Sequence, residues 1–87
     1  MKGFQYDPER SLANLKKHGI DFEQAQLLWE DPDLVVIAAR SDDEPRYLVI
    51  ARLHDHHWSA IATDRGDEIR IISVRRSRSA EIELYES

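Results

Sequence analysis

The sequence contains no cysteine among its 87 residues. This absence excludes a disulfide framework, thiolate catalysis and any metal site built on cysteine sulfur. The sequence also has no signal-like N-terminal segment and no apolar run long enough to cross a membrane. These absences predict a bacterial-type cytoplasmic protein. A chain this short is expected to form one domain over residues 1–87 and to bury only about two-thirds of its unfolded surface, so a partner would add to its stability.

Charge is unevenly distributed along the chain. The net charge of −5 argues against non-specific binding to nucleic acid. Between Asp21 and Glu44 there are eight acidic residues and a single basic one, Arg40. Between Arg65 and Arg78 there are five arginines against two acidic residues. This asymmetry indicates two surfaces with different roles, although solvated arginines on an exposed strand and helix would give the same pattern.

The first third of the chain predicts two short helices. Asp7-Pro8 is typical of a helix start, and Lys16-Lys17-His18-Gly19 is typical of a helix end. Leu12 and Leu15 supply a narrow apolar stripe for this first helix. A second helix is expected to begin after the cap at Asp21 and to stop at Asp31-Pro32. Its expected buried face consists of Phe22, Ala25, Leu28 and Trp29.

The rest of the chain predicts strands and a closing helix. A short strand is expected at residues 4–6, and longer strands at 34–39, 46–53, 58–63 and 69–74. Polar turns are expected between them, at residues 41–45, 54–57 and 64–67. These short connections favour an antiparallel meander. A C-terminal helix should follow, with Ser77 or Ser79 as its cap.

The expected fold class is therefore α+β. Two N-terminal helices would pack on one face of a twisted antiparallel sheet of about four strands, and a short C-terminal helix would close the domain. The other face of the sheet would be open or covered by a partner.

The stretch from Thr63 to Arg76 combines a turn with a strand that carries arginines. In a regular strand Arg70 and Arg75 point to opposite faces, and they share a rim only if the strand end twists. Arginine offers a planar donor fork that matches phosphate oxygens, so several near one rim would suit an RNA backbone and a phosphate transition state. The alternative is that they form surface salt bridges with acidic neighbours such as Glu81.

Two other segments contain histidine. The His18 side chain could take a proton from a ribose 2′-hydroxyl, although Lys16 to His18 could equally neutralise a helix end. The run His54-Asp55-His56-His57 resembles a metal-ligand cluster, but side chains diverge in a turn, so no metal site and no cofactor are predicted. Trp29 and Trp58 are expected in the core, whereas Tyr47 and Tyr85 could lie at an edge and donate to phosphate.

Two blocks, residues 14–25 and 70–76, together resemble the BrnT-type toxins, which are the ribonucleases of BrnT–BrnA type II toxin–antitoxin systems. The first reads Asn-Leu-Lys-Lys-His-Gly-Ile-Asp-Phe-Glu-Gln-Ala and the second Arg-Ile-Ile-Ser-Val-Arg-Arg. Matching residues outside the blocks are Phe4, Asp7, Asp31, Pro32, Arg46, Thr63, Arg65, Glu81 and Tyr85. The departures are Tyr6 for tryptophan, Ala51 for glycine, Ala62 for tyrosine, and Val74 and Ser77 for alanine.

The resemblance implies a RelE-like compact fold, RNA cleavage that arrests growth, and inhibition by a BrnA-like antitoxin in a hetero-oligomer. The pair would contact DNA only through the antitoxin, and no membrane is involved. The expected activity is that of a metal-independent endoribonuclease, in which a ribose 2′-hydroxyl attacks the adjacent phosphate. The expected catalytic residues are His18, Arg65, Arg75, Glu81 and Tyr85. The expected RNA-binding residues are Lys17, Arg46, Arg70 and Arg76.

Within this hypothesis the arginines hold the phosphate, His18 with Lys17 transfers the proton, and Glu81 and Tyr85 position Arg75 or act as acid and base. A single site of this kind requires His18 and Arg75 to lie on one face of the domain. Ala62 and the acidic charge favour a second hypothesis, a toxin-like binding module without catalysis. A third is a free-standing regulator that reads DNA with the arginine strand.

Overall fold

The computed structural model describes residues 3–39 and 44–87. Of the predicted polar loop at 41–45, only Glu44 and Pro45 are among them, and residues 41–43 lie outside. In chain order the elements are β1 (Gly3–Gln5), α1 (Pro8–His18), α2 (Phe22–Ala25), a 3₁₀ helix (Gln26–Glu30), β2 (Val35–Ala39), β3 (Arg46–Leu53), β4 (His56–Arg65), β5 (Glu68–Arg76) and α3 (Ser79–Glu86).

The predicted ends of the first helices are confirmed. The Asp7 carboxylate accepts a hydrogen bond from the backbone N–H of Glu9 at 2.9 Å, and Gly19 ends α1 with a φ of 82°. Asp21 and Gln24 form the reciprocal capping box that starts α2. The second helix is α-helical for only four residues and continues as the 3₁₀ helix to Glu30.

The fold class is confirmed, with one addition to the sheet. Strands β2 to β5 form the expected antiparallel meander, and the full strand order is β1-β5-β4-β3-β2. The short strand β1 pairs in parallel with β5, from Gly3 beside Glu68 to Gln5 beside Arg70. The sheet is therefore mixed and has five strands, because the N-terminus joins the far end of the chain.

The two faces of the sheet differ in what covers them. Val49, Ala60 and Val74 are aligned across β3, β4 and β5, are fully buried, and pack in one cluster with Phe22 and Leu28. We call this the inner face. Side chains of the alternate positions point to the outer face. Helix α3 lies against the outer face. The outer face is therefore partly covered by the chain itself, and not fully open or covered only by a partner.

Two hairpin turns are tighter than the sequence indicates. His54 and Asp55 alone form the turn between β3 and β4, with φ values of 52° and 67°. Strand β4 therefore begins at His56, inside the segment predicted as a turn. Gly66 takes a φ of 61° in the next turn, as expected for glycine. No helix in the described part of the chain is long and apolar enough to cross a membrane.

The buried stripe of α1 is polar, which corrects the expectation for Leu12 and Leu15. Those two side chains are 53% and 39% exposed, whereas Ser11 and Asn14 are buried. The Asn14 amide donates to the Ile20 carbonyl at 2.8 Å and accepts from the Val74 N–H at 3.2 Å. A single side chain thus joins α1, the α1–α2 connection and the edge of β5 that faces away from β4.

We expect Asn14→Ala to lower the free energy of unfolding by about 2–4 kcal/mol, because it leaves two buried backbone groups unpaired. Urea denaturation measures the change. Lys16→Ala, on the exposed side of the same helix, is the matched control and should stay within about 0.5 kcal/mol. Equal stability of the two variants would contradict this role for Asn14.

Candidate active site

A β-bulge brings the arginines of β5 to one face of the sheet. Ile61 pairs with Ser73 and the next residue of β4, Ala62, pairs with Ile71, which leaves Ile72 as an extra residue in β5. The regular alternation assumed for this strand is therefore wrong. Because the bulge shifts the alternation by one position, Arg70 and Arg75 both point to the outer face.

Arg75 forms a two-pronged ion pair with Glu81. Its Nη1 and Nη2 atoms lie 2.8 Å from Oε1 and Oε2 of the carboxylate, and Nη1 also donates to the Arg76 carbonyl at 3.2 Å. The Arg75 and Glu81 side chains are 27% and 16% exposed. The two parallel hydrogen bonds fix the plane of the guanidinium, and partial burial shields the pair from solvent screening.

The Glu81 carboxylate accepts further hydrogen bonds from the sheet and from the start of α3. The Ser59 hydroxyl donates to Oε1 at 2.9 Å, and the Arg78 backbone N–H donates to the same oxygen at 2.8 Å. The Ser77 hydroxyl oxygen lies 2.8 Å from the Ser59 hydroxyl oxygen. Arg78 occupies the N-cap position. The expectation of Ser77 or Ser79 as the cap is therefore wrong, because Glu81 already binds the first free N–H of the helix.

These contacts keep Glu81 ionised. The hydrogen bonds from Arg75, with smaller contributions from Arg78 and Ser59, outweigh burial and lower the pKa of Glu81 to about 2. The same pairing raises the pKa of Arg75. At neutral pH Glu81 therefore carries no proton to donate and is a very weak base, so the geometry supports positioning of Arg75 and not acid–base chemistry.

Tyr85 is bound to a carboxylate other than Glu81. Its hydroxyl donates to Asp31 at 2.7 Å, and the Arg52 backbone N–H donates to the same oxygen at 2.8 Å. Burial, together with the Asp31 hydrogen bond, raises the pKa of Tyr85 to about 12. The phenol is thus protonated at neutral pH, and its proton is directed at Asp31. This contact ties α3 to the end of the 3₁₀ helix.

His57 also lies on the outer face, although the sequence predicted it in a turn. Its Nε2 lies 2.7 Å from the Glu86 carboxylate, and its ring packs edge-to-face on Tyr85 with centroids 5.2 Å apart. It points to the same face as Ser59, two residues later in β4. The signal in the sequence is that polar residues at 57 and 59 alternate with the apolar residues Trp58 and Ala60.

The remaining arginines are divided between surfaces. Arg65 shares the outer face and forms an ion pair with Glu44 at 3.2 Å. Arg70 makes a long 3.5 Å contact with Gln5. Arg76 instead stacks on Trp58, with its guanidinium carbon 5.6 Å from the ring centroid. Arg46 begins β3, and its buried Nε has no hydrogen-bond partner among the described residues.

Lys17 and His18 lie at the end of α1. His18 is half-buried and follows Asn14 by one helical turn. Because Asn14 binds the Val74 N–H, His18 lies near the edge of β5 that faces away from β4. Arg75 follows Val74 in β5 and directs its guanidinium to the outer face. Within residues 3–39 and 44–87, no hydrogen bond or ion pair joins Lys17 or His18 to Arg75. The shared site of His18 and Arg75 stays a prediction.

The segment His54–His57 spreads across a turn and a strand. Among the residues that the structure describes, no three histidine, aspartate or glutamate side chains gather in an arrangement that could hold a metal ion. The chemistry available on the outer face is therefore that of fixed guanidinium groups, a charged carboxylate, hydroxyls and one imidazole.

A family model described as the ribonuclease toxin, BrnT, of type II toxin–antitoxin systems matches residues 6–81. The chain belongs to the BrnT family. A search of curated proteins found no match. The family match spans α1, the sheet from β2 to β5, and the first turn of α3 with Glu81. Membership in this BrnT family implies a cognate antitoxin as the partner.

The main departure from the BrnT pattern lies away from the arginine face. Ala62 pairs with Tyr47 and Ile71, is fully buried, and points to the inner face together with Ala60. A phenol at this position would therefore lie on the opposite side of the sheet from Arg75. The alanine changes the packing of the inner face and removes no group from the Arg75–Glu81 pair.

We expect Glu81 to make stability depend on pH in the acid range. The pKa falls from an ordinary 4.5 to about 2 on folding. The stabilisation is therefore fully present above pH 4.5 and is lost as the pH falls through the window between these values, by an amount on the order of 2 kcal/mol. Urea denaturation at a series of pH values measures it.

The Glu81→Gln variant should lose this component of the pH dependence and be less stable than the unaltered protein at pH 7. Glu83→Gln, an exposed position on the same helix, is the control and should keep the full dependence. Identical pH profiles for the two variants would show that the Arg75–Glu81 pair does not hold the carboxylate in its charged form.

Proposed function

We propose that this protein is the toxin of a type II pair and acts in the cytoplasm as a metal-independent endoribonuclease that arrests growth. A ribose 2′-hydroxyl would attack the adjacent phosphate, leaving a cyclic phosphate and a 5′-hydroxyl. The observation that carries the proposal is the outer face of the sheet, where the bulge aligns Arg70 and Arg75 and Glu81 fixes the guanidinium of Arg75. Arg65, at the end of β4, extends the same face.

The Arg75 guanidinium keeps a second donor pair for a phosphate. Nη1 uses its hydrogens on Glu81 and on the Arg76 carbonyl, and Nη2 uses one on Glu81. The Nε–H and the other Nη2–H have no acceptor among the described residues. These two parallel donors form the side edge of the guanidinium, which matches two phosphate oxygens. A phosphate can therefore bind while Glu81 stays in place.

Fixed positive charge is what this reaction needs. The transition state places extra negative charge on the phosphate oxygens, and donors that are already oriented stabilise it without reorganisation. In the proposed mechanism Glu81 is the positioning residue of Arg75. Tyr85 positions α3 through Asp31, and Arg70 and Arg65 bind neighbouring phosphates.

Lys17, His18 and Arg76 lie outside this arrangement, whereas Arg46 alternates with the inner-face residue Tyr47 and so occupies an outer-face position of β3. Proton transfer by His18 would require the RNA to reach from the outer face around the edge of β5 to the end of α1. Lys17 and Arg76 would then bind the flanking phosphates of the same strand. The role of His18 in proton transfer is a proposal from the sequence that rests on this longer path.

The partner in this proposal is a BrnA-like antitoxin, which would neutralise the toxin in a hetero-oligomer. The pair would repress its own genes through the DNA-binding part of the antitoxin. The protein would thus contact DNA only indirectly, and RNA is its substrate.

The alternative function is a binding module that pairs with the antitoxin without cutting RNA. The observation that favours it is that the end of the Arg75 guanidinium is occupied, since both Nη atoms donate hydrogen bonds to Glu81. Ala62 adds nothing to this alternative, because it points to the inner face. RNA cleavage by the purified protein separates the two functions.

We expect the purified protein to cleave RNA in the presence of a chelator and Arg75→Ala to lower the rate by about 100- to 1000-fold, because one fixed charge is removed from the transition state. Growth arrest on expression should disappear with it. Arg10→Ala, an exposed arginine on α1, is the matched control.

Circular dichroism should show that the Arg75→Ala variant is folded before its activity is compared. Cleavage at an unaltered rate by the folded variant would reject the arginine site. Failure of the unaltered protein to cut RNA, with antitoxin binding intact, would favour the binding module.

We further expect growth to recover when the toxin is expressed together with its cognate antitoxin, which we expect to be encoded by a small neighbouring gene with a ribbon-helix-helix pattern. The reason is that bound antitoxin should exclude RNA. The purified complex should cleave RNA at least about tenfold more slowly than the free toxin. Equal cleavage by the two preparations would exclude this mode of neutralisation.

A further inference from the structure

The outer face carries a titratable side chain to which the proposed mechanism gives no role, His57. It precedes Ser59 by two residues in β4, and Ser59 pairs with Arg75 across the sheet. His57 is therefore the diagonal neighbour of Arg75 on the same face. Such neighbours lie about 7–8 Å apart, which a ribose and its phosphate can bridge.

The imidazole is held in a fixed orientation. Its Nε2 atom lies 2.7 Å from Oε2 of Glu86, and the Tyr85 ring packs edge-to-face against it. The Ser77 N–H donates to the His57 backbone carbonyl at 3.0 Å. The side chain is 19% exposed, so it is shielded from bulk water but still reachable from the surface.

The contact with Glu86 decides which nitrogen can act as a base. An ionised carboxylate only accepts hydrogen bonds, so in the neutral imidazole this contact places the proton on Nε2 and the lone pair on Nδ1. No described residue donates to Nδ1. A carboxylate that orients a neutral imidazole and stabilises its protonated form is the arrangement that hydrolases use for proton transfer.

We propose that His57, oriented by Glu86, is the proton-transfer residue for the RNA cleavage; the inference rests on the proposed function. Nδ1 takes the 2′-hydroxyl proton as the 2′-oxygen forms its bond to phosphorus, while Arg75 binds the phosphate oxygens. The bond between phosphorus and the 5′-oxygen breaks, and the leaving oxygen takes a proton from water. The protonated imidazole then returns its proton to the hydroxide that is left.

His57 fits this role better than His18 on three counts. It shares the face of Arg75, whereas His18 lies at the edge of β5 on α1. It has a carboxylate partner, whereas the His18 imidazole forms no hydrogen bond with any described residue. The side chains that hold it, Tyr85 and Glu86, belong to the same helix as Glu81, which fixes Arg75.

The test uses the full chain, total cellular RNA as substrate and a chelator in every reaction. We expect His57→Ala to lower the cleavage rate about 100- to 1000-fold. His54→Asn is the matched control, because His54 lies in the adjacent turn and asparagine tolerates its positive φ. It should cleave like the unaltered protein.

Chemical rescue distinguishes proton transfer from a structural role. Added imidazole should raise the rate of His57→Ala at least about tenfold and leave Arg75→Ala unchanged. Full activity of His57→Ala, or a loss of activity that imidazole does not relieve, would overturn the inference while the proposed function stands. An unaltered protein that does not cleave RNA would overturn both.

Glu86 provides a second variant in case His57→Ala does not fold. Its side chain is 54% exposed, so truncation should leave the domain intact. Glu86→Ala should lower the rate about tenfold, and Glu86→Gln should retain more activity, because the amide oxygen still accepts the Nε2 proton. Unaltered cleavage by Glu86→Ala would overturn the orienting role and, with it, the inference.

Discussion

The carboxylate of Glu81 is the group on which the outer face depends. It accepts hydrogen bonds from a β5 side chain, from a β4 hydroxyl and from the N–H of Arg78, the N-cap of α3, so three elements meet at its two oxygens. Helix α3 has no fully buried side chain of its own. Its attachment to the sheet therefore relies strongly on the polar contacts of Glu81 and Tyr85.

The bulge at Ile72 is the second constraint. Without it, Arg70 and Arg75 would lie on opposite faces, and one of them would point into the helical layer, where an unpaired charge is strongly unfavourable. The extra residue lets β5 bury Ile69, Ile71 and Val74 on the inner face while it keeps both arginines on the outer face. A local defect in the ladder thus reconciles the core with the site.

Local signals in the sequence were sufficient for the order of the elements and for the ends of the first helices. The caps at Asp7 and Asp21 and the end at Gly19 each depend on residues within four positions, and they form as expected. The parallel pairing of β1 with β5 joins residues 65 apart, and a strand of three residues carries no information about its partner. The bulge was equally hidden, because Ile72 repeats the side chain of Ile71 and only the pairing with β4 makes it the extra residue.

The site itself was predictable by residue type and only partly by arrangement. Arg75 and Glu81 were expected to act together, and they form an ion pair because the five residues between them turn the chain from β5 into α3. His57 was assigned to a turn because the length of a turn depends on backbone conformation. Once His54 and Asp55 take left-handed conformations, two residues suffice and His57 enters the strand.

The same interactions that stabilise α3 also orient the groups proposed to act on RNA. Arg75 is held by Glu81, and His57 by Glu86 and Tyr85, and all three partners belong to α3. Loosening this helix would therefore weaken both groups at once, even if the sheet stayed intact. Activity and stability of the outer face are coupled through α3. A partner that displaced this helix could inactivate the site without contacting either Arg75 or His57.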